Sequence, residues 1–356
     1  MKVLILTGKF GMGHVSAAAA VKEELEQEPG TEAEIVDIVD FLFPATSEYI
    51  YKGFNLLSDK LYGLYNLMNR LDERRSSGRA GLPMSAKIDG LLRAADPDVV
   101  ISTLPIASKY VGAAIKKSER RIRYITCITD IMPHNEWISE AVSAYMVGDT
   151  MTEEMLKEKG VAGERIFVSG IPVRKQFRDG SDRGESEDRL GADGRRKKEV
   201  LIMGGGLGLI PDVDELLRAL GDAQITVITG KNEKLRRMLE KKGGAIEAVG
   251  YTDRVSDYMR RADLLVTKAG GATVFEAIWS ETPMFILPPF LEQEKSNAEF
   301  AERRGVGVTA EKQGKSMAEQ MDALLKDEVK RQRMKENMRR MKRQYERQSI
   351  RRCALM

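Results

Sequence analysis

The sequence predicts an α/β protein of two Rossmann-like domains whose parallel sheets face each other across a cleft. Three observations predict it. Twelve short apolar runs alternate with helix-length segments, the pattern of parallel strands covered on both faces. At 356 residues the chain is longer than one core usually fills. One stretch poor in apolar residues and rich in Gly, Asp and Arg, 178–198, parts the runs six and six.

The first half offers strands at 3–6, 33–39, 99–103, 124–129, 144–147 and 166–169. The second offers 200–203, 225–229, 245–249, 264–267, 284–287 and 306–309. These runs are too short for helices and are bounded by Gly, Pro and Asp. The implied organisation is a domain over 1–177, a connector over 178–198, a domain over 199–315 and a basic helical segment over 316–356.

Composition narrows the function classes. A net charge of +3 is too small to argue for nucleic acid. Cys127 and Cys353 lie far apart and give no disulfide framework, which fits a reducing compartment. The opening apolar run is shorter than the roughly 7–15 residues of a signal peptide. No run approaches the roughly 20 residues that span a bilayer. The expectation is a cytoplasmic protein that meets a membrane only at its inner surface. Cys353-Ala354-Leu355-Met356 spells a prenylation box, which is read as a chance match.

The most informative stretch is 263–297. A strand runs into Lys268-Ala269-Gly270-Gly271, a helix opens at Ala272-Thr273, and a second strand ends in a Pro-rich turn carrying Glu292, Gln293 and Glu294. A glycine turn entering a helix leaves backbone N–H groups aimed outward, and the helix dipole adds roughly half a positive charge, so a diphosphate is favoured. The polar turn on the same rim suits hydroxyls. Together they suggest a nucleotide sugar. Gly204-Gly205-Gly206, after the first strand of the second half, adds a second place for close backbone approach.

At the amino end, Gly11-Met12-Gly13-His14 follows the first strand and leads into a helix predicted from Ser16 to Leu25. The spacing matches neither a dinucleotide fingerprint nor a P-loop. His14 at the mouth of this turn is the candidate base, because imidazole titrates near neutrality. Asp130 follows the fourth strand and is placed to orient His14, share its role or hold a substrate hydroxyl. His134 lies in the same loop. Asp96-Pro97-Asp98 and Asp212-Val213-Asp214 spell a metal motif, but the first precedes its strand and the second opens a helix, so no metal is expected.

Between 41 and 65 the chain collects Phe41, Phe43, Tyr49, Tyr51, Phe54, Tyr62 and Tyr65, with Lys52 and Lys60 interleaved. Aromatic rings with basic neighbours suit a bilayer interface. From 326 to 352 there are twelve Lys or Arg against four Asp or Glu, a balance that is either a solvated helix face or a contact for anionic lipid.

At these residues the chain resembles the monogalactosyldiacylglycerol synthase and processive diacylglycerol glucosyltransferase family, and more distantly the MurG-type transferases of the same GT-B superfamily. The resemblance rests on Gly11-x-Gly13-His14, Thr129-Asp130…His134…Trp137, 170–174, Met203 to Gly208, Gly230-Lys231-Asn232, Gly250-Tyr251, Lys268 to Thr273 with Glu276, and Gln293-Glu294-x-x-Asn297. It implies a donor site of Gly205, Gly206, Asn232, Tyr251, Gly270, Gly271, Ala272, Thr273, Glu276, Gln293, Glu294 and Asn297. In that site Glu276 would bind ribose, 270–273 the diphosphate, and Gln293-Glu294 the sugar. The acceptor and membrane side would use Gly13, Phe41, Phe43, Tyr51, Phe54, Tyr62, Tyr65, His134 and Trp137.

The function so implied is an inverting, metal-independent transfer of a hexose from UDP-glucose or UDP-galactose to diacylglycerol or a glycolipid at the inner membrane surface, with no cofactor. His14, helped or replaced by Asp130, would be the base. The rivals are a MurG-like transfer to a polyprenyl-linked sugar, a UDP-sugar epimerase, and a UDP-sugar-sensing membrane adaptor without turnover.

Overall fold

The structure, a computed structural model, describes residues 1–60, 82–117, 121–179, 196–206, 208, 210, 213–221, 223–311 and 314–355, with side chains of 54–60, 82, 83, 106, 109 and 117 left aside. Tyr62 and Tyr65 lie outside the described residues, as does the Phe54 side chain.

All twelve expected strands form. They are β1 (Lys2–Thr7), β2 (Glu32–Asp37), β3 (Val99–Ser102), β4 (Arg123–Cys127), β5 (Ala144–Val147), β6 (Ile166–Val168), β7 (Glu199–Met203), β8 (Gln224–Ile228), β9 (Ile246–Val249), β10 (Leu264–Thr267), β11 (Met284–Ile286) and β12 (Gly307–Thr309). They make two six-stranded sheets, ordered β2-β1-β3-β4-β5-β6 and β12-β11-β10-β7-β8-β9, with every pairing parallel. Central strands are buried at every position, as in β3, β5 and β10, which is why they read as unbroken Val/Ile/Leu runs instead of alternating ones.

The chain divides into two compact units. The first holds 1–175, 291–293 and 344–356; the second holds 176–290 and 294–343. The segment expected as one piece from 316 to 356 is therefore shared. Its last helix, Ile350–Leu355, places Ile350, Cys353 and Ala354 in the first core beside Val3, Ile5, Ala18, Ile125 and Cys127. Cys353 is 1% exposed, which removes the prenylation reading. In the preceding helix, Glu328–Glu346, the buried Met334, Met338, Met341 and Tyr345 recur three to four residues apart. That spacing puts them on one helical stripe, and it explains the length of the helix despite its charge.

Both sheets change direction once. From β1 the order runs outward to β2 on one side and to β3 on the other; from β7 it runs to β8 on one side and to β10 on the other. At such a switch point the connections diverge and leave a crevice at the strand carboxyl ends. The glycine-rich loop after β1 falls at the first of these points, and those after β7 and β10 fall at the second.

The loops after β7 and β8 are interlocked. Gly208 has φ +64° and Gly230 has φ +55°. Gly208 N–H donates to Gly205 O at 2.9 Å, and Lys231 N–H donates to Gly206 O at 3.0 Å. A Cβ on Gly208 would stand 1.8 Å from the backbone oxygen of Thr229. Gly208→Ala should therefore destabilise the second unit by about 2–3 kcal/mol. Gly90→Ala, inside the helix Leu82–Ala95 with open space around its Cβ, should stabilise by about 1 kcal/mol. Urea midpoints of the two variants check the contrast.

Candidate functional site

In the first unit the site begins where β1 ends. Gly11, at φ +84°, lets the chain turn directly into the helix Met12–Leu25, four residues earlier than the sequence suggests. Gly13 and His14 thus sit in the first helical turn, which no side chain caps. His14 Nδ1 lies 2.8 Å from the backbone oxygen of Thr103 and 2.9 Å from Thr129 Oγ1. A carbonyl only accepts, so the ring carries its proton on Nδ1 and keeps a lone pair on Nε2. Thr103 Oγ1 in turn lies 2.9 Å from Thr7 Oγ1 and 3.1 Å from the carbonyl of His14 itself.

Burial holds the His14 pKa below the ordinary value, outweighing the Asp130 charge and the Thr103 carbonyl, both of which favour the proton. The imidazole is neutral at neutral pH. Trp137, expected at a membrane or acceptor, is fully buried in the turn Asn135–Trp137, its ring centroid 6.5 Å from that of His14. It is a wall of the histidine pocket and not a membrane contact.

Tyr51 is corrected in the same way. It is 9% exposed, its hydroxyl donates to Asp37 Oδ1 at 2.6 Å, and it accepts from Lys9 N–H at 3.0 Å. Its ring packs 5.0 Å from Phe10. Tyr51 therefore braces the loop between β1 and His14, and burial beside Asp37 raises its phenol pKa. Asp37 also caps the helix Ile38–Leu42. Of the expected interfacial aromatics, Phe41 and Tyr49 are exposed, while Phe43 is half-buried. His134 is half-buried, and its Nε2 lies 3.3 Å from the Nε2 of Gln293, which belongs to the first unit.

In the second unit β10 runs into the Lys268–Gly270 turn and the helix Gly271–Trp279, again without a side-chain cap. Gly271, Ala272 and Thr273 form its first turn, with their N–H groups at the switch point beside β7. The helix is pinned by Phe275 stacking on Phe300 at 5.4 Å. Asn297, 1% exposed, donates from Nδ2 to Ala269 O at 3.0 Å and so holds the turn from below. Glu276 is 8% exposed, one and a half turns into the helix.

Glu292, Gln293 and Glu294 are not in a turn but in the first turn of the helix Glu292–Arg303, where the dipole favours acidic residues. Glu294 Oε2 accepts from Phe290 N–H at 3.1 Å, and Oε1 lies 4.0 Å from Lys268 Nζ. Asn232 is committed to structure: Oδ1 caps the helix Glu233–Lys242 through Leu235 N–H, and Nδ2 donates to Gly208 O at 3.2 Å. It ties the two glycine loops together. Gly205 and Gly206 line the outer side of that loop, exposed and half-buried. Tyr251 is exposed after the edge strand β9, separated from β7 by β8.

One residue of each acidic pair is engaged elsewhere, and Asp212 lies outside the described residues. Asp98 accepts from Lys2 N–H at 2.7 Å, tying β3 to the start of β1, and Asp214 pairs with Lys242 at 3.1 Å.

With this geometry in view, comparison with known proteins is decisive. The monogalactosyldiacylglycerol (MGDG) synthase model matches residues 14–173, and the glycosyltransferase family 28 C-terminal domain matches 200–352. A processive diacylglycerol beta-glucosyltransferase of Bacillus cereus is 30% identical over 351 residues, covering 95% of this chain and 89% of that protein. Another, of Bacillus licheniformis, is 29% identical over 349 residues, covering 94% and 90%. The chain belongs to this glycosyltransferase family. Among solved structures, MurG of Acinetobacter baumannii aligns with a TM-score of 0.60 at 16% identity, covering 96% of this chain and 94% of that one. The S. aureus MnaA–UDP co-structure aligns at 0.59 and 14%, covering 94% and 91%. These likenesses place the family member in the GT-B fold class.

What the sequence missed is the set of threonines. Thr7, Thr103 and Thr129 end or follow β1, β3 and β4, three neighbouring strands, and are 3%, 0% and 3% exposed. A hydroxyl closing each of three consecutive sheet strands was the available signal. Replacing Asp130 by Asn removes a charge that favours the imidazolium, so the His14 pKa should fall further below about 6.5. An NMR titration of the His14 ring proton reads this directly.

Proposed function

We propose that this family member moves a hexose from a UDP-sugar, UDP-glucose or UDP-galactose, to the free hydroxyl of diacylglycerol or of a glycolipid, with inversion and without a metal ion. The observation that carries the reading is the neutral His14, held through Nδ1 with Nε2 left as a proton acceptor. The acceptor is supported by the relatives, which are processive diacylglycerol beta-glucosyltransferases. The donor is supported by the uncapped helix Gly271–Trp279 at a switch point.

In this reading the acceptor O–H gives its proton to His14 Nε2 as its oxygen attacks the anomeric carbon. The new C–O bond forms while the bond from that carbon to the diphosphate oxygen breaks, and UDP leaves with the electron pair. One displacement inverts the anomeric centre. Negative charge growing on the diphosphate is met by the first-turn N–H groups of Gly271, Ala272 and Thr273. The first unit activates the acceptor and the second retains the donor.

Among the described residues, no helix is long and apolar enough to cross a membrane. In this reading the meeting with lipid is at the inner membrane surface, supported by exposed Phe41 and Tyr49 with Lys52 beside Tyr49.

Purified protein should consume a UDP-hexose only when diacylglycerol vesicles are present, and should do so in excess EDTA. His14→Ala should lower turnover by about 100-fold or more while leaving UDP binding intact. Failure to use either donor with lipid, or full loss with chelator, sinks the proposal.

A further inference from the structure

The environment of His14 goes further than naming a base. A base of this kind works only in one tautomer: with the proton on Nε2 it would present a hydrogen, not a lone pair, to the acceptor. Free imidazole exchanges between the two forms, so something must choose.

We propose that Thr129 is a positioning residue that, together with the backbone carbonyl of Thr103, locks the His14 proton on Nδ1 and so presents Nε2 to the acceptor hydroxyl. This rests on the reading of His14 as the base. Three observations support it. Thr129 Oγ1 and Thr103 O lie 2.9 and 2.8 Å from the same ring nitrogen, so Nδ1–H is shared between two oxygens. One oxygen is a main-chain carbonyl and the other a side-chain hydroxyl, and both residues stand beside strand-pairing hydrogen bonds: Thr103 N–H continues the ladder to Leu6 O at 2.9 Å, and Ile128 N–H, one residue before Thr129, donates to Met146 O at 2.9 Å. Both residues are nearly inaccessible, at 0% and 3%.

The groups facing the ring can be named from each element. Its own helix offers first-turn N–H groups, β1 and β3 offer Thr7 and Thr103, the loop after β4 offers Thr129 and the charge of Asp130, and the turn 135–137 offers the Trp137 ring. Of these, Thr129 is the side chain whose hydroxyl meets Nδ1. An oxygen accepting from Nδ1–H stabilises the imidazolium more than the neutral ring, because the charged N–H is the stronger donor. The same contact therefore strengthens as the proton arrives at Nε2.

The test compares Thr129→Val, which keeps the shape and loses the hydroxyl, with Thr129→Ser, which keeps the hydroxyl. The chain has two histidines, so 15N-labelled imidazole spectra are readable, and His134→Gln assigns the signals. In the Val variant kcat should fall about 10- to 100-fold, as for loss of one hydrogen bond to a charged group, with KM for the UDP-sugar unchanged. Its acid limb of kcat/KM should move to lower pH, and the Nε2–H tautomer should grow in. The Ser variant should restore all three. Wild-type tautomer and titration in the Val variant, or no rescue by Ser, overturns the positioning role. A shifted tautomer and titration with unchanged kcat supports the placement and overturns the assignment of His14 as base instead.

Discussion

A parallel sheet forces each connection back to the same end of the next strand, and only where two neighbours send their connections apart does the carboxyl edge stay open. The candidate site residues of this protein depend on that constraint. In the first unit the opening lies between β1 and β3, where the loop from β1 brings His14 against the carbonyl that follows β3. In the second it lies between β7 and β10, where Gly204–Gly206 and the Gly270 turn emerge.

Holding a glycine loop at an open edge requires polar side chains that are not themselves reactive. Asn297 supports the Ala269 carbonyl, Asn232 joins the loops after β7 and β8, and Tyr51 with Asp37 supports Lys9. A buried polar group left without a partner costs about 1–3 kcal/mol, so each of these contacts also discourages the loop from drifting. Asn232 and Asn297, read from the sequence as donor contacts, thus also frame the glycine loops.

The His14 pocket shows how two opposing effects set a working state. Trp137 and the buried threonines make the surroundings unfavourable for charge, while Asp130 and the Thr103 carbonyl favour it. Burial is the larger effect, so the ring rests neutral. The favourable partners then act more strongly as the ring takes up a proton, which is when the proposed base has to be stabilised.

The apolar runs of the sequence settled the strand count and the parallel sheets, since a strand covered on both faces has no polar positions to spare. Gly11, Gly204–Gly206 and Gly270-Gly271 were legible for a similar reason: a turn ahead of a helix at a strand end has few solutions, and glycine marks them. Burial of particular side chains was not legible. Tyr51 looked interfacial because aromatic composition is the same in a core and at a membrane, and Glu292–Glu294 looked like a turn because a helix start is also polar. The threonines around His14 were legible only as hydroxyls at strand ends, not as neighbours of one ring. Thr7, Thr103 and Thr129 come from strands distant in the chain and adjacent in the sheet, and only strand order decides that Thr103 O and Thr129 Oγ1 meet one ring nitrogen while Thr7 Oγ1 meets Thr103 Oγ1.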